Sequence, residues 1–486
     1  MNTNIFSQKI VLVGLFILAI FFSLYRLSES PSVWYDEGWY IQTAANWLHA
    51  GVDGIQAAPG DIRHVSVLSV GYPLLYPLAV WFKLFGMSIE SARALMAVFI
   101  FAFVLTAYML ARRLFGPYAS LGSLALLATF PPLYGNGKSV LGEVPGLFYL
   151  TVFLACLIVG MESKARKPFW FIVSGISIGL CVTTKPVFLL LLPAILVGLY
   201  ANRKQGTVTK KDCSLAFLGF SIPVIIWALI QFPQGSSSGE VLAFYANPYN
   251  FSDILGVIAG NAKRLFSDIG PLYTVAMSGV WAASLFIRRR MKVGVSLAEI
   301  IAFSFSILVI LAYLRTAGVY RYLFYAQGVA LIFFPQACAV VCSSFAGRIR
   351  SLKPRWVLYG PAVIVGALSA FGLYQLMFDS WVADGYASHK TAYWEQYLAQ
   401  VPASTEVFFY DVPEVVPFMG NDNYRQALRT PAAHPFAPDQ VSFLKAGQSD
   451  MVITTTAIFH ENKDGIFERY ALNEEAYKYS ILKKKP

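Results

Sequence analysis

The chain has 486 residues, of which 57% are hydrophobic, 15% aromatic and only 13% charged, with a mean hydropathy of +0.56. Soluble domains carry about 25% charged residues, so this composition lacks the polar surface to cover a globule in water. It excludes an ordinary cytosolic enzyme and reads as an α-helical polytopic membrane protein. The net charge of +11 divides unevenly: residues 1–378 carry +15, whereas Asp379–Pro486 hold 14 acids and 10 bases. The chain therefore divides into a bilayer-embedded domain, 1–378, and a soluble domain, 379–486.

Uncharged apolar stretches predict about eleven spans, over 10–26, 93–111, 118–133, 143–160, 169–184, 186–201, 214–232, 271–287, 297–314, 321–343 and 356–378. The first has Lys9 before it and Ser28-Glu29-Ser30 after it, but Pro31 opposes cleavage there, so it reads as an uncleaved anchor. A long outer loop, 27–92, follows. Within it Asp36–Ala50 reads as a helix lying on the membrane, with Trp34, Trp39, Tyr40 and Trp47 as interfacial aromatics. Tyr72–Phe85 reads as a second such segment. Another long outer loop covers 233–270.

Alternate loops carry Arg112 and Arg113; Lys164, Arg166 and Lys167; Arg203, Lys204, Lys210 and Lys211; Arg288, Arg289, Arg290 and Lys292; and Arg348, Arg350, Lys353 and Arg355. These 17 cations mark the cytoplasmic side. The N-terminus is then inside and the C-terminal domain outside, in a periplasmic or extracellular space. The positive charge reports topology, and nucleic acid drops out as a partner. The soluble domain reads as a small α/β unit, with strands at Glu406–Tyr410 and Met451–Thr455 and a helix at Asp439–Lys445 between them. Cys156, Cys181, Cys213, Cys338 and Cys342 lie in or beside apolar runs and read as packing residues, without a disulfide framework.

Chemistry concentrates at the outer ends of the spans. Trp34-Tyr35-Asp36-Glu37-Gly38-Trp39-Tyr40 places two adjacent carboxylates at the membrane surface, where desolvation is costly without a purpose. Asp36 reads equally as the N-cap of the following helix. Glu143, in Gly142-Glu143-Val144-Pro145-Gly146, is the only acid from Arg93 to Met161; its alternative role is a helix-start carboxylate facing the dipole. Acids from separate spans that converge on one cavity can deprotonate an acceptor hydroxyl and orient it, or hold a divalent cation; Asp36 and Glu143 are the candidate ligands for such a metal.

Lys185 in Thr183-Thr184-Lys185-Pro186, and Arg315 and Arg321 bracketing Thr316–Tyr320, supply the complementary cations. Tyr322 follows directly. Arg63, His64 and Tyr72 in the first loop are further substrate-binding candidates. Such cations suit a phosphate or pyrophosphate leaving group in a low-dielectric pocket, although each singly reads as well as a side chain snorkelling to headgroups.

Asp36-Glu37 after the first span, Glu143-Val144-Pro145 opening a later one, Lys185-Pro186 and Arg321-Tyr322 together resemble GT-C glycosyltransferases. The pattern is nearest to glycosyltransferase family 39 and its bacterial relatives, the aminoarabinose–lipid A transferases and protein O-mannosyltransferases. The resemblance covers roughly residues 1–340. It implies an inverting transfer of a sugar from a polyprenyl-phosphate carrier to a lipid, glycan or protein acceptor, on the non-cytoplasmic face of the bacterial inner membrane and among membrane lipids. Asp36 then resembles the catalytic carboxylate, Glu143 the second acid near the acceptor, and Lys185 and Arg321 the donor-phosphate ligands. Two departures stand out: the second acid is Glu rather than Asp, and Gly71-Tyr72-Pro73 replaces a lysine-containing first-loop motif.

No nucleotide-binding motif is present. A transporter or flippase of a lipid-linked glycan is the alternative of a different class; it predicts mid-membrane charges and repeated halves, and neither is visible. A glycan polymerase or ligase using a pyrophosphate-linked donor is the nearest enzymatic alternative. A non-catalytic assembly subunit is the third.

Overall fold

Helix α1 (Asn2–Leu24) leads into a long connecting segment that contains α2 (Tyr35–Ala50), a hairpin of β1 (Gly54–Ala58) and β2 (Asp61–His64), and α3 (Tyr72–Phe85). A computed structural model describes residues 2–64, 70–163, 165–203, 206–231, 239, 251–346, 354–429 and 437–486. Residues 233–238 and 240–250 of the expected second outer loop, and Lys164, Lys204, Arg348, Arg350 and Lys353 of the basic loops, lie outside the described residues.

The bundle continues through α4 (Ile89–Phe115), α5 (Pro117–Ala128), α6 (Pro131–Lys138), α7 (Glu143–Glu162), α8 (Lys167–Thr184), α9 (Leu191–Asn202) and α10 (Lys210–Gln231). After it come α11 (Ile254–Ser267), α12 (Ile269–Arg290), α13 (Leu297–Tyr313), α14 (Phe324–Ala346) and α15 (Pro354–Phe378). Each segment predicted as a span falls on helix. Among the described residues seven helices are long and apolar enough to cross a membrane, and four further apolar helices are shorter.

Proline sets where the predicted spans break. The 118–133 segment ends its helix at Ala128, and Pro131-Pro132 begin α6, because proline fits the first turn but cannot donate to a preceding one. Likewise Pro186 opens a 3-10 turn, Pro186–Leu190, ahead of α9.

Helix α8 lies directly against α10, because the backbones meet at glycine. A Cβ on Gly175 would stand 1.9 Å from the Ala216 carbonyl oxygen. Small residues permit such close crossings where lipid gives no hydrophobic drive.

The C-terminal part begins with α16 (Trp381–Asp384) and α17 (Lys390–Ala399). It then builds β3 (Val407–Tyr410), β4 (Tyr424–Ala427), α18 (Ala437–Lys445), β5 (Met451–Thr455), α19 (Thr456–Asn462), β6 (Tyr470–Ala476) and β7 (Tyr479–Lys484). Strand order is β4-β3-β5-β7-β6, parallel across the first three and antiparallel beyond β5. Alternation divides the sheet between two cores: Phe409, Ile453 and Ile481 on one face, and Phe408, Val452 and Leu482 on the other.

The α2 segment departs from expectation. Trp39 and Tyr40 are buried in a protein core, not laid on a membrane surface, because the C-terminal sheet covers this helix. Gln426 donates to Gln42 Oε1 at 2.7 Å and to the Gln56 carbonyl. Gln56 in turn donates to the Asp422 and Tyr424 carbonyls. Glu29 accepts the backbone N–H groups of Thr391 and Ala392 at the start of α17.

Candidate active site

Asp36 and Glu37 are neighbours with divergent surroundings. Helix α2 starts after Trp34, and Glu37, three residues on, accepts the Trp34 backbone N–H at 3.2 Å. Capping therefore falls to Glu37, and Asp36 does not serve as the N-cap. The Glu37 carboxylate is wholly buried and bidentate with Arg93, Oε1 to Nε and Oε2 to Nη2, both at 2.8 Å. Its Oε1 also accepts the Val140 N–H.

Arg93 Nη1 donates to the carbonyls of Leu27, Ser28 and Pro31. Sequence reading paired Glu37 with Asp36 as a catalytic acid; the geometry instead makes it a clamp. It ties the loop before Asp36 to the loop before Glu143. Sequence reasoning misses Arg93, although a lone arginine in an apolar span is the signal that finds it.

Asp36 itself stays accessible, its side chain 41% exposed. Its Oδ2 lies 3.3 and 3.4 Å from Arg321 Nη1 and Nη2. Arg321 Nε donates to Glu143 Oε1 at 2.8 Å, and its guanidinium also lies over the Trp34 ring at 5.3 Å. Lys185 Nζ reaches the same Glu143 oxygen at 2.7 Å and the Leu141 carbonyl at 2.6 Å.

A continuous chain of alternating charge thus runs Asp36–Arg321–Glu143–Lys185, drawn from four segments far apart in sequence. Glu143 is fully buried, and its Oε2 has no hydrogen-bond partner among the described residues. That burial makes Glu143 the counter-ion of both cations and removes it from reach of an acceptor in this geometry. The Gly71 N–H bonds the Thr184 carbonyl at 3.0 Å, so the lysine-free first-loop motif abuts the residue before Lys185.

The other predicted residues sit elsewhere or on the margin. Arg63 pairs with Asp61 and with Asp439 of α18, fastening the hairpin to that helix of the C-terminal part. His64 Nδ1 lies 2.7 Å from the Asp53 carbonyl. Tyr72 donates to the Pro223 carbonyl at 3.3 Å. Arg315 is exposed just past α13. Tyr322 packs with the Leu265, Tyr313 and Leu323 cluster.

Among the described residues no three His, Cys, Asp or Glu side chains gather in a metal-binding group. Asp36 and Glu143 are instead bridged by the Arg321 guanidinium, which makes the pair a poor fit for a divalent cation.

A sequence model of the family described as dolichyl-phosphate-mannose-protein mannosyltransferase matches residues 73–227, a stretch that includes Glu143 and Lys185. No curated protein matches by sequence. Among solved structures, the chain is similar to ArnT from Cupriavidus metallidurans in the apo state, with a TM-score of 0.67, 14% identity and coverage of 99% of this chain and 98% of that one. The same protein bound to undecaprenyl phosphate gives 0.61 at 15% identity, over 98% of each chain. The archaeal oligosaccharyltransferase AglB from Archaeoglobus fulgidus, in complex with an inhibitory peptide and a dolichol-phosphate, gives 0.57 at 14% identity, covering 96% of this chain and 71% of that one. The chain is an integral membrane protein with the GT-C glycosyltransferase fold that ArnT and AglB share.

Proposed function

We propose that the protein is an inverting glycosyltransferase that moves a sugar from a polyprenyl-phosphate carrier to an acceptor hydroxyl at the outer face of the membrane. The observation that carries this reading is the Asp36–Arg321–Glu143–Lys185 chain, in which an exposed carboxylate stands beside two cations pinned by a buried one. The fold shared with ArnT, one of whose structures holds undecaprenyl phosphate, supports the same donor class.

In this mechanism the donor phosphate approaches Arg321 and Lys185 and competes with Asp36 for the Nη atoms of Arg321. Those contacts are long, at 3.3 and 3.4 Å, and weak enough to exchange for a phosphate oxygen. Displacement releases Asp36 to accept a proton. The acceptor oxygen attacks the anomeric carbon from the face opposite the phosphate while its proton passes to Asp36. The anomeric C–O bond breaks, its electron pair goes to the phosphate, and Arg321 and Lys185 stabilise the added charge. Glu143 stays ionised throughout and holds both cations in register. Helices α7 and α8 have basic segments at the ends away from the cluster, and by the positive-inside rule this supports a reaction on the side away from the cytoplasm.

Release of polyprenyl phosphate from a purified, lipid-reconstituted protein tests the donor class. The expected result is consumption of a polyprenyl-phosphate sugar, with Lys185→Ala raising the donor KM. Consumption of a polyprenyl-pyrophosphate oligosaccharide instead identifies a ligase or polymerase. Translocation without bond cleavage identifies a transporter.

A further inference from the structure

Apart from the charged cluster, with which it shares no lining residue, a cavity of about 410 Å³ lies between α7, α8, α9, α10 and α13. Its lining is almost wholly apolar, with Phe171, Leu196, Phe217 and Ile301 among its walls and Ser174 and Cys213 the least apolar. The cavity follows from how the helices pair. Helix α10 is drawn onto α8 at Gly175 and Gly219, while α9 packs on α13, with Gly198 against Ile301. Two consecutive helices joined by a short loop therefore seat on different neighbours. Leu196 and Phe217, which line the gap, are each 68% exposed on apolar helices, so a hydrocarbon chain has a lateral way in.

The same ends of these helices are strongly basic. Arg166 precedes α8, Arg203 follows α9, and Lys210 and Lys211 open α10; all four are exposed. Lys167 pairs with Asp212 of α10 at 2.7 Å, joining the basic ends of α8 and α10. Basic pockets between membrane helices bind anionic headgroups, and the cavity volume lies in the range of small-molecule sites.

We propose that the cavity seats one acyl chain of an anionic phospholipid, whose headgroup phosphate is held by Arg166, Arg203, Lys210 and Lys211. A polyprenyl chain is the less fitting occupant. A carrier phosphate held at Lys185 lies at the opposite end of α8, and it leaves the cations at the cavity's own end without an anion. The site does not depend on the glycosyl-transfer reading, since it shares no residue with the charged cluster.

Native mass spectrometry of the full chain, released from detergent with phosphatidylglycerol or phosphatidylcholine of identical acyl chains, tests the proposal. Phosphatidylglycerol should be retained in preference, and the preference should fall roughly fivefold for each lysine removed in Lys210→Gln and Lys211→Gln. Cys213→Trp, which fills the mouth, should reduce retention of both lipids. A phosphatidylglycerol with a photoreactive acyl chain should label residues 192–199 and 213–220 of the unaltered protein, which decides the matter even if the tryptophan variant does not fold. Equal retention of both lipids, labelling elsewhere, or displacement of phosphatidylglycerol from these residues by a photoreactive polyprenyl phosphate would overturn it.

Discussion

Glu37 and Asp36 show how one residue's displacement along a helix changes its chemistry. Glu37 points inward to Arg93 with both side chains fully buried, whereas Asp36 faces the accessible side. Removing one partner from a buried pair leaves an uncompensated charge, so Glu37→Leu or Arg93→Leu should each cost about 3–5 kcal/mol of stability, read as a lowered thermal midpoint in detergent. The double variant should recover only part, because the carbonyls of Leu27, Ser28 and Pro31 still lose their donor.

Arg321→Lys keeps the charge but gives up the fork that serves Glu143 and Asp36 together. Steady-state assays should show transfer down by about 100-fold. Asp53 offers a pH test. Burial pushes its carboxyl up to about 6 from an ordinary 3.8, and its Oδ1 has no hydrogen-bond partner among the described residues.

Because the native state favours the protonated Asp53, the stability it contributes is greatest below pH about 4 and falls as pH rises through about 6. Asp53→Asn should remove that fall, gaining on the unaltered protein above pH 6 in thermal melts. A variant with an unchanged pH slope would contradict the assignment. At this scale the acids and cations were legible as types at membrane ends, but their pairing was not. Spacing alone cannot say that Glu143 is the counter-ion of Lys185 and Arg321, since the partners come from separate segments.

Helix pairing depends on positions that hydropathy does not see. The apolar runs place the helices, and proline explains where the 118–133 and 186–201 segments break. The contact of α8 with α10 rests instead on glycine. Gly175→Leu would drive a side chain into the Ala216 carbonyl, and overpacking of this kind costs roughly 1–3 kcal/mol or more. It should lower the unfolding temperature and raise hydrogen exchange along α10; retention of native protection there would contradict the packing argument.

Strands β3 and β5 were readable from their β-branched and aromatic runs. Strands β4, β6 and β7 were not. Polar Arg425 and Gln426 sit in β4, and Glu474 and Glu475 in β6, where β6 is the edge of the sheet and charges discourage further pairing.

The whole molecule joins a bundle of apolar helices to the C-terminal sheet through the segment between α1 and α4. Composition separates the two parts, because charge density changes near Asp379. It does not reveal that the sheet covers α2, whose aromatics read equally well as a membrane belt. Tyr35 bonds Asp411 at 2.6 Å, and a Cβ on Gly38 would meet the Pro413 carbonyl oxygen at 2.2 Å. Gly38→Val should therefore loosen the sheet from the bundle, seen as faster proteolysis between residues 379 and 411 with the bundle intact.

The site draws its residues from both ends of the chain order, from Asp36 to Arg321, and only the folded bundle brings them together. The central claim is that Asp36 takes the acceptor's proton while Arg321 and Lys185 hold the phosphate. Its most direct test is sugar transfer from a radiolabelled polyprenyl-phosphate donor into a membrane lipid extract, with the unaltered protein and Asp36→Asn compared at matched folding and donor binding. Asp36→Asn should still bind the donor and transfer almost nothing; transfer at the unaltered rate would show that Asp36 does not take the acceptor's proton.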